Sequence, residues 1–270
     1  MGRARRKRLS RLLQGYGRQV DGALPDAAAA RLGPRGRYGA RELLLAVAIV
    51  LTGIPFGLLL HQVTQDGPLT RLDDRWARWL HERVADDGTA ETVLRAVSFT
   101  GKPISLAVLV GLPTLWLLRR GARRLALFLV VVSIGGGIVD SAVKVAVGRP
   151  RPTFDEPIAT AFGKSFPSGH SMSSLICFGA LLVVFLPLVP RRGRPWCVAL
   201  TALWVLAIGV SRLALGVHYV SDVLGGYVLG AAWLIGSVAL FEVWRAERGR
   251  KPTRPFSEGV EPEETAKVAG

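Results

Sequence analysis

LALFLVVVSIGGGIVDSAVKVAVGRPRP, residues 125–152, is the stretch that decides the fold. Up to Val147 it is apolar over enough residues to cross a hydrocarbon layer of roughly 30 Å at about 1.5 Å of helical rise per residue. Its end is abrupt, because Gly148, Pro150 and Pro152 stop a helix, and the cations Lys144, Arg149 and Arg151 crowd that end. Just upstream, Arg119, Arg120, Arg123 and Arg124 mark the opposite end. A segment built this way spans a membrane and presents a plain basic flank on one side and a chemically dense one on the other.

Working outward, five further apolar segments are near spanning length: Leu43–Val63, Ile104–Leu118, Gly169–Val189, Trp196–Leu215 and Val223–Val243. Half of the residues are hydrophobic while the formal charge is +15, so apolar and basic stretches alternate along the chain. Basic proteins that bind nucleic acid lack such repeated apolar runs, and no nucleic-acid partner is expected. Short loops rich in Lys and Arg stay in the cytoplasm. Arg3 to Arg41, Arg119 to Arg124, Arg191 to Arg194 and Arg245 to Lys251 therefore face inward, and residues 64–103, 148–168 and 216–222 face outward. The expected architecture is all-α, a six-span transmembrane bundle of a multi-pass cell-membrane protein with both termini cytoplasmic. Residues 1–42 form a basic cytoplasmic tail, 43–243 the membrane domain and 244–270 a flexible cytoplasmic tail. In the first outer loop, Leu72, Trp76, Trp79, Leu80 and Val84 recur at helical spacing among charges, which predicts an amphipathic helix on the membrane surface or packed across the bundle. Cys177 and Cys197 sit in or beside apolar runs and act there as small hydrophobes, with no disulfide framework or cysteine metal site.

Polar residues at membrane depth are costly and call for a reason. Three clusters stand out: Lys144 to Pro152, Phe166 to His170, and Ser211–Arg212 with His218 and Asp222. The charge-based topology never used them, yet it sets all three on the outer side. Lys144, Arg151 and Arg212 supply cations for a phosphate dianion. The start of the span at Gly169 adds free backbone N–H groups beside the small residues Ser168 and Gly169, which makes an anion cradle. His218 and Asp222 are spaced so that, in a helix, the carboxylate holds one ring nitrogen protonated and frees the other to attack phosphorus. His170, on a separate element, is placed to protonate a departing alkoxide. No metal or other cofactor is required.

This ensemble resembles the type 2 phosphatidic acid phosphatase family, the lipid phosphate phosphatases related to vanadium-dependent haloperoxidases. The three parts of its signature occur in order: Lys144 with Arg151-Pro152, then Pro167-Ser168-Gly169-His170, then Ser211-Arg212 with His218 and Asp222. The resemblance implies that His218 is the nucleophile that becomes phosphohistidine, Asp222 its orienting partner and His170 the general acid. It assigns Lys144, Arg151, Arg212, Ser168 and the Gly169 backbone to the phosphoryl group. Arg149 lies outside the signature and reads either as an auxiliary phosphate contact or as an interface arginine. Asp140 is expected to pair inside the bundle, with Lys144 as a partner. Asp155, Glu156 and Lys164 belong to the entrance loop or are simply solvated, and His61 and His81 are structural or interfacial.

The function so implied is hydrolysis of a lipid phosphate monoester or diphosphate: phosphatidate, a phosphatidylglycerophosphate or undecaprenyl diphosphate. A phosphotransferase with an acceptor other than water is the alternative. Haloperoxidase chemistry fits the same cradle but belongs with a soluble helical fold. Arginine's excess over lysine fits a GC-rich bacterial genome.

Overall fold

A backbone inside a bilayer finds no water to satisfy its N–H and C=O groups, so each apolar run is driven into helix. The computed structural model describes residues 50, 53–65, 67–251, 253 and 255–269. The helices are α1, residues 53–64, followed by α2 (Pro68–Val84), α3 (Gly88–Thr100), α4 (Pro103–Arg119), α5 (Arg123–Val147), α6 (Gly169–Phe185), α7 (Arg194–Ala214), α8 (Val220–Glu247), α9 (Pro255–Glu258) and α10 (Pro262–Ala269). No strand occurs among the described residues.

Four of these, Arg123–Val147, Gly169–Leu188, Arg194–Ala214 and Val220–Glu247, are long and apolar enough to cross a membrane. The expected second span proves to be part of a larger element. Its apolar run is α4, which follows α3 at a bend of 46°, and the two together add a fifth candidate crossing if the bent pair is one span. The bend has a local cause: Lys102 precedes Pro103 and takes an extended backbone (φ −67°, ψ 149°), the conformation a following proline imposes. Most of the expected first span, Leu43–Val63, lies outside the described residues, whose part of it is the helix at 53–64. The described residues thus hold four or five of the six expected crossings.

Helix α6 occupies the centre and packs against α5, α7 and α8. It buries residues around its whole circumference, among them Ser171, Met172, Ile176, Ala180 and Val184. Small residues let α8 approach it closely. A Cβ at Gly226 would stand 2.6 Å from the Ser168 carbonyl oxygen, and one at Gly230 would stand 3.1 Å from that of Met172. The outward faces of α4, α5 and α7 carry Ile104, Leu112, Ile134, Ile138, Leu200 and Leu203, each more than half exposed. So broad an apolar surface is what a helix bundle turns towards lipid tails.

The segment after Glu247, expected as a flexible tail, is folded. Val260 and Val268 join the main apolar core. Fully buried Glu261 binds Arg245 and Arg250, each at 2.7 Å. Glu264 accepts the backbone N–H groups of Arg124 at 2.8 Å and Leu125 at 3.0 Å, and so caps α5. Arg194 at the head of α7 donates to the Ser257 carbonyl at 3.0 Å. The acidic residues 261–264 drive this, because a helix start and several arginines offer them partners.

Candidate active site

Lys144 closes α5, Gly169 and His170 open α6, Ser211 and Arg212 close α7, and His218 and Asp222 stand at the start of α8. An end, a start, an end and a start converge, and two backbone contacts tie them. Lys144 Nζ donates to the Pro167 carbonyl at 2.7 Å, and the Ser168 N–H donates to the Asp222 carbonyl at 2.9 Å. The arginine-rich turns at 119–124 and 191–194 lie at the other end, where α5 begins and α6 gives way to α7.

His218 is only 2 % exposed. Its Nδ1 lies 3.3 Å from Asp222 Oδ2 and its Nε2 lies 3.0 Å from Arg151 Nη1. A guanidinium can only donate, so Nε2 holds its lone pair towards Arg151 and Nδ1 carries the proton towards Asp222. Burial pushes the His218 pKa down to about 4, although Asp222 pulls it upward. The imidazole is therefore neutral near pH 7, with its basic nitrogen turned to the cations.

The carboxylate reaches His218 by capping rather than by the helical stacking expected from the spacing. His218 precedes the helix, and Asp222 Oδ2 accepts the Tyr219 backbone N–H at 2.9 Å, in the manner of a capping box. Oδ2 also accepts a short hydrogen bond from Ser165 Oγ, and Oδ1 accepts Arg149 Nη1 at 2.6 Å.

Arg151 commits all five donors. Nε reaches the Gly163 carbonyl and Nη2 those of Phe162 and Lys164, each at 3.1 Å, while Nη1 meets the Val217 carbonyl at 2.8 Å as well as His218. Burial lowers its pKa, with Asp222 and Asp140 opposing. Arg212, 7 % exposed, donates Nη1 to Ser98 Oγ at 2.6 Å, and its Nε is buried with no hydrogen-bond partner among the described residues. Lys144 pairs with Asp140 at 2.5 Å, as the sequence reading expected. The pair abuts the head of α6, where a Cβ on Gly169 would stand 3.1 Å from Lys144 Nζ and 2.9 Å from Asp140 Oδ2. Ser168 takes the N-cap position of that helix without a side-chain capping bond, and its Oγ accepts Ser171 Oγ at 3.0 Å. His170 Nε2 is buried without a hydrogen-bond partner among the described residues.

Residues 125–246 match the PAP2 superfamily. A lipid A 4'-phosphatase of Bacteroides thetaiotaomicron is 30% identical over 159 residues, covering 53% of this chain and 67% of that protein. The chain belongs to the PAP2 superfamily. Phosphatidylglycerophosphatase B of Bacillus subtilis is 36% identical over 34% of this chain and 46% of its own length, and a lipid A 1-phosphatase of Rhizobium etli is 31% identical over 38% and 44%. The chain thus spans about half the length of these relatives. The crystal structure of a transmembrane PAP2 type phosphatidylglycerolphosphate phosphatase from Bacillus subtilis superimposes with a TM-score of 0.66 at 20% identity, over 76% of this chain and 98% of that one, and so shares its fold. The protein is a multi-pass helical membrane protein of the PAP2 superfamily.

In this PAP2 member the signature residues gather at one end of the bundle. Arg149 does something other than either sequence reading: it bridges Asp222 and Asp73, the latter at 2.9 Å. Asp222 and Asp73 hold its pKa above the ordinary arginine value against the pull of burial. Asp73 itself, 1 % exposed on α2, is a site residue that the sequence reasoning did not single out. Its signal was positional, since it shares the buried stripe of α2 with Ala77 and Val84, while Leu72, Trp76 and Trp79 turn outward. Ser165 and Ser98 carried no comparable signal. The side chains of Asp155, Glu156 and Lys164 are exposed, as is His61. His81 stacks on Phe154 with ring centroids 4.0 Å apart.

Proposed function

We infer that this protein hydrolyses a lipid phosphate monoester or diphosphate through a phosphohistidine at His218. The observation that carries the reading is the orientation of His218, with Nδ1 held by Asp222 and Nε2 unprotonated and facing arginine. Relatives named phosphatidylglycerophosphatase B and lipid A phosphatase support the substrate class.

On substrate entry a phosphate oxygen takes over the Arg151 donor now spent on His218, and the freed Nε2 attacks phosphorus. The N–P bond forms at the terminal phosphorus as its bond to the ester oxygen of a monoester, or to the bridging oxygen of a diphosphate, breaks, and His170 delivers a proton to that oxygen. Water, deprotonated by His170, then attacks the phosphohistidine and releases inorganic phosphate, returning His218 to its starting state. Lys144, Arg151 and Arg212, with Ser168 and the amide of Gly169, stabilise charge on the phosphoryl oxygens. Support for a lipid tail comes from an apolar groove of about 550 Å³ lined by Phe99, Leu109, Leu112, Phe178 and Trp204. It begins at the α3–α4 break, where Gly101 packs against His170. The distribution of arginine supports a reading with this end of the bundle outside the cytoplasm and both termini within it.

Purified protein in detergent with EDTA, offered phosphatidate, phosphatidylglycerophosphate or undecaprenyl diphosphate, is expected to release inorganic phosphate, and His218→Ala to abolish release. Equal release by the variant would overturn the phosphohistidine. Turnover that appears only when a lipid acceptor is added would move the protein to the phosphotransferases.

A further inference from the structure

Outside the residues that face phosphate, the described residues hold a chain of buried charges reaching the nucleophile from the side. Asp73 on α2 accepts the Ser221 backbone N–H at 3.0 Å and a short hydrogen bond from Ser221 Oγ, so it caps α8 from a different element. It also accepts Arg149 Nη2 at 2.9 Å, while Nη1 of the same guanidinium donates to Ser221 Oγ at 2.7 Å and to Asp222 Oδ1 at 2.6 Å. The guanidinium lies over the Tyr219 ring, 4.1 Å from its centroid. Asp73 and Asp222 are both buried and the Arg149 side chain is 9% exposed.

The geometry points to Asp73 and Arg149 as positioning residues that fix the Asp222 carboxylate, and through it the tautomer and aim of His218. This rests on the phosphohistidine reading above. Three donors converge on Asp222 Oδ2, whereas Arg149 supplies the charged contact to Oδ1. Without that contact the carboxylate can turn about its Cβ–Cγ bond and release Nδ1. Arg149 is in turn a flexible side chain whose fork is held by Asp73 and stacked on Tyr219. Arg149 stands between the two carboxylates, so neither buried negative charge is left without a cationic partner. Because Asp73 rides on α2, the docking of that helix against α7 and α8 is a condition for a correctly aimed nucleophile.

The test compares wild type with Asp73→Asn, Arg149→Gln, Arg149→Lys, the double variant Asp73→Asn/Arg149→Gln and, as a control, Asp74→Asn, whose side chain is exposed on the same helix. The readouts are kcat and KM for phosphate release and ¹⁵N NMR of labelled histidine, which reports the imidazole tautomer without substrate. Outer partners of a reacting group change activity about 10- to 100-fold. Arg149→Gln is expected to lower kcat about 100-fold and Asp73→Asn about 10-fold, with KM within about twofold of wild type. The double variant should be no worse than Arg149→Gln alone, because both act through one carboxylate. Arg149→Lys should recover part of the loss, and Asp74→Asn should match wild type. The spectrum should show His218 protonated at Nδ1 in wild type and a mixture of tautomers in Arg149→Gln. Variants with lowered thermal stability but wild-type kcat and an unchanged spectrum would overturn the relay, as would losses that multiply in the double variant. If His218→Ala is inactive while these variants are not, the relay fails alone; if His218→Ala is active, the reading beneath it fails.

Discussion

His218 illustrates how burial sets the chemistry of a single side chain. Its pKa falls from the ordinary 6.5 to about 4, chiefly through loss of water around the ring. The unfolded chain takes up this proton as pH drops below about 6.5, whereas the folded protein resists until about 4. In that window the unfolded state binds more protons, so stability contributed by a neutral buried His218 is present above pH 6.5 and lost on acidification. Asparagine does not titrate there. Thermal unfolding in detergent at pH 7 and at pH 4.5 should therefore show wild type losing on the order of 3 kcal/mol more than His218→Asn. Equal losses would mean that His218 is not held neutral. The identities of His218, His170, Asp222 and the three cations were legible in the sequence because motif spacing carries them. Asp73 and Ser165 were not, because their partners Ser221 and Asp222 are 148 and 57 positions away in the chain, and only folding brings them within hydrogen-bond reach.

At the scale of the element, α8 must lie close enough to α6 for the Ser168 N–H to reach the Asp222 carbonyl. Gly226 permits this, and Gly236 on the same helix has nothing among the described residues within 4 Å of the place its Cβ would take. The two glycines predict opposite outcomes for one substitution. Gly226→Ala forces a backbone contact apart and should cost about 1–3 kcal/mol in stability together with much of the activity. Gly236→Ala should be neutral or stabilising by up to about 1 kcal/mol, since alanine favours helix over glycine. Melting temperature and phosphate release on the two variants decide it, and a stable, active Gly226→Ala would show that the helices are not pressed together there. Hydropathy marked α5 to α8 in the sequence because lipid-facing and core residues are both apolar. It also marked α4, but a run of apolar residues does not disclose that the chain continues upstream as a second, bent helix.

Across the whole molecule, the end opposite the candidate site is fastened by the carboxy-terminal segment. Glu261 compensates Arg245, which is 1 % exposed, and Arg250, with Arg124 at 3.7 Å. Replacing it leaves a buried guanidinium short of a partner, although Glu263 still contacts Arg245 at 2.8 Å. Glu261→Gln should lower stability by about 3 kcal/mol, at the mild end for a broken buried pair. Its kcat, measured below the melting transition, should stay at the wild-type value because the candidate site lies at the other end of the helices. A fall in kcat with unchanged melting would show instead that the two ends are coupled.

The sequence by itself determined what short-range physics and composition determine: apolar runs that must be membrane helices, arginine-rich turns that sort one side from the other, and a motif set with the residue types that phosphate chemistry needs. Tertiary structure alone decided which donors each of those residues has left. Lys144 is met by Asp140, Arg151 is spent on loop carbonyls and on His218, and Arg149 is turned from phosphate to Asp73 and Asp222. It also decided that a polar, acidic tail is folded, because buried arginines waited for it. Hydrogen bonds and buried charge pairs depend on distances of a few ångströms between elements far apart in the chain, and those distances exist only once the helices have packed.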